Sequence, residues 1–236
     1  MTLSLFAIQM LNGLQLGVLL FMMSAGLTLV FGIMNFVNLA HGSLYMMGAY
    51  FAAWAYGQTN SFLLAGLAGV AGGALLGLVV ERVVAARLYG RDHLDQVLAT
   101  FGLILFFNEI VRWIWGPSPV YMNVPEALSG AIPILGINYP AYRFVIILVG
   151  LGVALGSYLL INKTRVGMLI RAGSSNPTIV AALGVNIKLL NAAIFALGTA
   201  MAGLAGLMSG PILSVQPGMG EPILILAMIV IVIGGI

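Results

Sequence analysis

The stretch that decides the fold is NKTRVGMLIRAGSSNPTIVAALGVNIK, residues 162–188, which lies between two long apolar segments. It holds four of the nine basic residues and no acidic residue. Loops rich in Lys and Arg that connect membrane spans stay on the cytoplasmic face. The stretch therefore predicts a cytoplasmic loop, with the chain crossing the membrane on each side of it.

Composition agrees with this interpretation. Of the 236 residues, 61% are hydrophobic and only 6% are charged, whereas roughly a quarter of the residues in soluble domains are charged. One membrane span takes about 20 apolar residues, so the chain can form six or seven spans and no sizeable soluble domain. We expect a single transmembrane domain over residues 1–236, in a multi-pass protein that takes energy coupling and ligand capture from other chains.

Several kinds of chemistry are excluded by residue type. The chain has no cysteine, which excludes thiol nucleophiles, disulfides and thiolate metal sites. It lacks a nucleotide-binding glycine-rich motif with its lysine, the few carboxylates are scattered, and His41 has no ligand partner at a suitable spacing. The net charge of +3 comes mainly from two loops and reports topology. We expect no enzyme, no cofactor, no metal and no nucleic-acid partner.

Apolar runs predict the membrane spans. The predicted spans are two within 5–57, then 61–80, 97–115, 144–161 and 189–209, and a partial span at 223–236. Small residues recur at four-residue spacing, which lets neighbouring helices approach closely. These residues are Gly69, Gly73 and Gly77, then Ala192, Ala196 and Ala200, and Ala202, Gly206 and Gly210. The expected fold is all-α, with about six complete or partial spans and one broken or re-entrant stretch, packed through these stripes.

The distribution of basic residues orients the spans. Residues 81–96 and 162–188 hold seven of the nine basic residues, which predicts that both loops face the cytoplasm. Residues 116–142 contain five prolines that break any long helix and are expected to form an outer loop. The N-terminus is then expected outside.

Two irregular stretches, residues 35–43 and 214–222, interrupt the apolar sequence of the predicted spans. Pro211 is expected to end the helix before the second stretch. Irregular backbone at membrane depth is tolerated only where protein or a water-filled cavity covers it. Both stretches could line a solute path, or they could be structural kinks. The candidate path residues are Asn35, Asn38, His41, Gly42, Gln216, Gly218 and Glu221.

A third polar group lies near the outer interface. Asn108, Glu109 and Arg112 have spacings that place them on one helix face. They could line a path or form an interfacial ion pair.

The basic loop contains a helix signal of its own. Asn176 and Pro177 are typical of an N-cap and a first helical residue, and Gly184 of a stop, which predicts a short helix from Pro177 to about Leu183. Ile179, Ala182 and Leu183 would share one face. That face could dock into a groove of a soluble partner or lie on lipid headgroups.

Three separate blocks together resemble one known family. They are GLTLVFGIMNFVNLAHGSLYMMGAY (26–50), LATFGLILFFNE (98–109) and TRVGMLIRAGSSNPTIVAALG (164–184). They closely resemble permease subunits of high-affinity branched-chain amino-acid ABC importers. The resemblance implies a non-catalytic inner-membrane subunit that pairs with a second, similar permease, two ATP-binding subunits that use the ATP, and a periplasmic solute-binding protein.

Within the resemblance, the basic loop matches the family's ATPase-coupling loop. The matching residues are Gly167, Arg171, Ala172, Asn176, Pro177, Ala181, Ala182 and Gly184, to which the predicted helix face adds Ile179 and Leu183. Arg171 is expected to meet acidic groups at the rim of an ATPase groove.

Alternatives remain open at this stage. A similar group of permeases carries urea or short-chain amides, and a passive channel working alone would also fit the composition. Because family members run past a point equivalent to Gly234, the chain is expected to be truncated at its C-terminal end.

Overall fold

The computed structural model describes residues 3–134 and 137–234. The α-helices are α1 (Leu3–Met34), α2 (His41–Thr59), α3 (Phe62–Val80), α4 (Ala86–Leu88), α5 (His93–Trp115), α6 (Ala141–Lys163), α7 (Arg165–Ser175), α8 (Pro177–Ala182), α9 (Ile187–Leu213) and α10 (Gly220–Gly234). The remaining elements are a π-turn over Glu81–Ala85, a 3₁₀ turn over Glu126–Leu128, and strands β1 (Ala131–Ile134) and β2 (Ile137–Pro140).

Within the described residues, five helical stretches are long and apolar enough to cross a membrane: Ser4–Met34, Phe62–Leu88, His93–Trp115, Ala141–Lys163 and Ile187–Leu213. The shorter apolar helix α10 ends the described chain, and residues 235 and 236 of the predicted partial span lie outside it. The expectation of an all-α multi-pass membrane protein is confirmed.

The central helix is α2, which packs against α3, α9, α10 and α5. Thirteen of its 19 residues are buried, yet it does not reach the hydropathy of a typical span. A helix surrounded by other helices does not need a lipid-compatible surface, so α2 can carry Gly, Ala and Tyr on every side. The neighbouring helices supply the lipid-facing surface.

Small residues pack α2, α3 and α9 together, as their spacing predicted. Gly69, Gly73 and Gly77 are buried, and a Cβ atom on Gly69 would lie 3.1 Å from the Gly48 carbonyl oxygen. On α9 the stripe of Ala202, Gly206 and Gly210 is buried as predicted, and a Cβ atom on Gly206 would overlap the Tyr45 carbonyl oxygen of α2. In the other predicted stripe Ala196 and Ala200 are only partly buried. Two glycines outside both stripes make further close contacts, Gly198 against α1 and Gly203 against α2 and α3.

The predicted loops contain more helix than expected. Helical backbone continues from α3 through Leu88, so the loop predicted at 81–96 is reduced to a turn over residues 89–92. Residues 162–188 contain α7 as well as the predicted short helix. Thr164 caps α7 by accepting a hydrogen bond from the backbone N–H of Gly167 at 3.1 Å. The glycines in this segment have low helix propensity, which hid α7 from the sequence pattern.

Two predicted helix boundaries were wrong near proline. Pro211 lies inside α9, which continues to Leu213, and the Ser214 N–H still bonds the Gly210 carbonyl at 3.0 Å. Helix α10 begins at Gly220, so Pro222 lies in its first turn, where the missing N–H of proline costs no helical bond. Similarly, α2 begins at His41, which limits the first irregular stretch to residues 35–40.

The loop at residues 116–142, predicted to face outward and called the outer loop below, also holds an element that the sequence did not predict. Strands β1 and β2 pair antiparallel, with Ile132 opposite Tyr139 and Ile134 opposite Ile137. The prolines correctly exclude a long helix there. Residues 135 and 136 of this loop lie outside the described chain.

Candidate functional site

Two non-helical connections enter the helix bundle from opposite ends. The first, residues 35–40, is held at one end by the turn after α4. The Phe36 ring meets Tyr89 edge-on with centroids 5.6 Å apart, and the Val37 N–H donates to Gln96 Oε1 at 3.0 Å. A positive φ of 48° at Asn35 starts this connection by turning the chain out of α1.

The second connection, residues 214–219, starts after the last residue of α9, Leu213. It lies at the opposite end of the bundle from the first connection. The 27 residues of α9 span about 40 Å at 1.5 Å per residue. Val215 forms a two-bond bridge with Val120 of the outer loop, at 2.7 and 2.9 Å. Ser214 and Gly218 have positive φ values of 60° and 83°, which fold the chain back into the bundle.

These connections lead to one meeting point, where the first turns of α2 and α10 touch. A Cβ atom added to Gly42 would lie 2.5 Å from the Gly220 carbonyl oxygen, and one added to Gly220 would overlap the Gly42 carbonyl. Only glycine allows two backbones to approach this closely. The two irregular stretches, remote in sequence, therefore form one site.

A polar bridge fixes the second connection to α5. Asn108 donates from Nδ2 to Glu221 Oε1 at 2.7 Å, and its Oδ1 accepts the Gly218 N–H at 3.0 Å. The shared polar face expected for Asn108, Glu109 and Arg112 was therefore wrong in part. Among the described residues Arg112 pairs with Glu109 alone, at 2.6 Å, and both side chains are exposed, so the ion pair that the sequence offered as the alternative is present. Such an exposed ion pair contributes little stability.

Asn38 and His41 are buried beside the meeting point. Their exposed fractions are 2% and 0%. The Asn38 amide has no hydrogen-bond partner among the described residues, and the His41 imidazole faces the Met23 backbone without a well-formed hydrogen bond. A buried polar group without a partner costs about 1–3 kcal/mol, so each of these groups calls for an explanation such as a bound water, a bound ion or a functional role. Asn38 also lines a pocket of about 300 Å³ whose other walls are apolar, including Leu27, Phe31 and Ile231.

The structure thus brings together five of the seven predicted path residues in or beside the two connections: Asn38, His41, Gly42, Gly218 and Glu221. The other two, Asn35 and Gln216, are exposed. Sequence analysis missed Gly220, and it grouped Asn108 with Glu109 and Arg112 instead of with Glu221. The cluster of glycines at 218 and 220 was a signal for Gly220, whereas nothing local could pair Asn108 with a residue 113 positions away.

The basic loop presents an exposed helix, α8. Asn176 Oδ1 caps it by accepting the Ile179 N–H at 3.0 Å, Pro177 is the first residue, and Gly184 has a φ of +87°, as the capping signals predicted. Val180 points inward and is 5% exposed, whereas Ile179 and Leu183 are 58% and 78% exposed. Ala172, Ala181 and Ala182 are exposed as well.

Two other loop residues have internal contacts. A Cβ atom on Gly167 would overlap the carbonyl oxygens of Leu160 and Ile161, so glycine is needed to pack α7 on the end of α6. The Arg171 guanidinium donates to the Ile161 carbonyl. Arg171 therefore has a partner within the chain, where the sequence suggested a free cation at the rim.

Comparison with known proteins shows the family. The family model described as "Branched-chain amino acid transport system / permease component" matches residues 9–236. The chain belongs to this family of permeases. The resemblance seen in the three sequence blocks is thereby confirmed.

Individual relatives carry two kinds of name. The permease is 28% identical over 243 residues to the high-affinity branched-chain amino acid transport system permease protein BraD of Pseudomonas aeruginosa, covering 97% of this chain and 78% of the relative. It is 28% identical over 220 residues to LivH of Escherichia coli K12, covering 87% and 70%. It is also 27% identical over 219 residues to the ribose import permease protein RbsC of E. coli K12, covering 90% and 64%. No solved structure shows a significant match.

Proposed function

We propose that this permease is the membrane-spanning subunit of an ABC importer that passes branched-chain or similarly hydrophobic amino acids across the inner membrane. It would pair with a second, similar permease, two ATP-binding subunits and a periplasmic solute-binding protein. The observation that carries this proposal is the family match over residues 9–236. The relatives named for branched-chain amino acid transport support the choice of substrate.

The solute path would run past the meeting point of α2 and α10. Apolar walls with a few polar groups suit a solute that has a hydrophobic side chain and a polar head. Asn38 and the His41 imidazole are buried donors and acceptors that a passing solute could engage. Glu221 lies in the first turn of α10, where the helix dipole stabilises a carboxylate. The exposed residues Asn35 and Gln216 would face the two entrances.

Helix α8 would be the contact with the ATP-binding subunits. Exposed apolar side chains on a short capped helix suit insertion into a groove of a soluble partner. Ile179 and Leu183, four residues apart, would supply the apolar contact, and the small side chains of Ala181 and Ala182 would allow close approach. A passive channel working alone would not require such a contact.

A sugar is the second candidate solute, because the ribose import permease is similar over 90% of this chain. A sugar carries many hydroxyl groups and would need several polar partners along the path. The pocket beside Asn38 is lined almost entirely by apolar side chains, which favours the hydrophobic amino acid. Uptake of labelled leucine, ribose and urea by the assembled transporter would separate these substrate classes.

The decisive experiment on coupling is Ala182→Glu in the complete transporter. A carboxylate on the exposed face of α8 should disrupt docking and abolish ATP-dependent uptake. Membrane insertion should be unaffected, because Ala182 is exposed. Ala86→Glu is the matched control, since it adds the same charge to an exposed alanine of the other basic segment, on α4 just before the turn at residues 89–92.

Uptake and ATPase stimulation should be lost in Ala182→Glu and retained in Ala86→Glu. Normal uptake by an assembled Ala182→Glu transporter would contradict the coupling role of α8. Co-purification of no ATP-binding subunit with the unmodified permease would instead favour the passive channel.

A further inference from the structure

We propose that Tyr89 is a positioning residue that transmits movement of α7 and α8 to the connection at residues 35–40. The inference rests on the proposed function, because it assumes that partner subunits move the basic loop. It assigns the transmission of that movement to one side chain in the short turn after α4.

On one side, Tyr89 faces the basic loop across a cavity. A cavity of about 190 Å³ separates the turn from α7 and α8, and it is lined by Tyr89, Met34, Gly173 and Pro177. Pro177 is the first residue of α8, and Gly173 is buried on α7. A displacement of either helix would therefore change the volume available to the Tyr89 ring.

On the other side, Tyr89 holds the first connection. Its ring meets Phe36 edge-on, at an interplanar angle of 87°. Gln96 reinforces this contact, because it accepts the neighbouring Val37 N–H at 3.0 Å and donates to the carbonyls of Leu88 and Arg91 at 3.2 Å each. The connection is therefore held at two adjacent residues, Phe36 and Val37. The next buried polar groups along the chain are Asn38 and His41.

The Tyr89 hydroxyl also depends on a carboxylate with incomplete bonding. It donates to Glu81 Oε1 at 3.1 Å. Glu81 is 1% exposed, and its second oxygen has no hydrogen bond within the described chain, with Arg82 Nε at 3.8 Å. Glu81 is also the first residue of the π-turn, a backbone irregularity that occurs frequently at functional sites. Because one Glu81 oxygen has no partner among the described residues, the carboxylate can accept a different donor when Tyr89 moves.

A cysteine reporter on the connection tests the proposal. The chain has no native cysteine, and Leu39 lies in the connection and lines the pocket beside Asn38. The labelling rate of Leu39→Cys by N-ethylmaleimide is measured in the complete transporter, with and without a non-hydrolysable ATP analogue. Tyr89→Ala should reduce the nucleotide-dependent change in this rate by about two- to tenfold, the loss expected for one aromatic pair. Tyr89→Phe keeps the ring but loses the Glu81 bond, and should give a smaller loss.

The controls separate this inference from the proposed function. Tyr158→Ala removes an exposed tyrosine from α6 and should leave the response intact. Ala182→Glu should abolish the response by preventing docking, whereas Tyr89→Ala should reduce it with the ATP-binding subunits still bound. A full response in Tyr89→Ala overturns the role of Tyr89 and leaves the proposed function standing. No nucleotide response in the transporter that carries Leu39→Cys alone overturns the inference as well, because the connection would then not move.

Discussion

Replacing Gly42 by alanine tests the contact between α2 and α10. The new Cβ atom would lie 2.5 Å from the Gly220 carbonyl oxygen, 2.9 Å from its carbon and 3.2 Å from Leu224 Cβ. Ordinary van der Waals contact begins at 3.4 Å, so the helices must separate by about 0.9 Å. The two nearest atoms belong to the backbone and cannot rotate away.

The expected cost follows from this overlap. Overpacking a well-packed interior costs about 1–3 kcal/mol, and the better helix propensity of alanine returns about 0.5–1 kcal/mol. The middle values of these ranges leave a net loss of about 1 kcal/mol, which lowers the melting temperature by roughly 2–4 °C for a chain of this size. Because the contact lies on the proposed solute path, we also expect uptake to fall.

Thermal unfolding of the purified permease in detergent measures the first effect, and uptake of labelled leucine by the complete transporter measures the second. Gly102→Ala is the matched control, because a Cβ atom there meets no atom within 4 Å. That control should unfold at the temperature of the unmodified protein or above it. If Gly42→Ala unfolds no lower than Gly102→Ala and transports normally, the close approach of α2 and α10 and its role in the path are both refuted.

Two further predictions concern the ends of the bundle. In intact cells, Ser174→Cys on α7 should resist a membrane-impermeant thiol reagent, while Ser118→Cys in the predicted outer loop should react. The reverse pattern would invert the assigned topology. Burial, and then the neighbouring Glu81 carboxylate, raise the pKa of Tyr89 above its ordinary value. In the unfolded chain the Tyr89 hydroxyl ionises near pH 10, whereas in the folded chain it stays protonated at that pH. The free energy of unfolding should therefore fall as the pH rises above about 10. Tyr89→Phe should weaken that fall in pH-dependent thermal unfolding, and an unchanged pH profile would argue against this assignment.

Local signals in the sequence determined the spans, the loop rich in basic residues and the capped helix α8. Each of these depends on hydropathy or on hydrogen bonds between residues a few positions apart, as with Asn176 and Ile179. The stripe on α3 was predictable for the same reason, because residues four apart lie on one helix face. The interruption at residues 35–40 was also visible, since polar and helix-breaking residues stand out in apolar sequence.

Only the tertiary structure decided which of these elements meet. The Gly42–Gly220 contact and the Asn108–Glu221 hydrogen bond join residues more than one hundred positions apart, and no periodicity links such residues. The burial of helix α2 could not be predicted from its own sequence either. Its modest hydropathy is possible because other helices surround it, and the local sequence of α2 does not specify those helices. Long-range packing selected one arrangement of helices that the local pattern leaves undetermined, and that arrangement places two interrupted stretches at a single site.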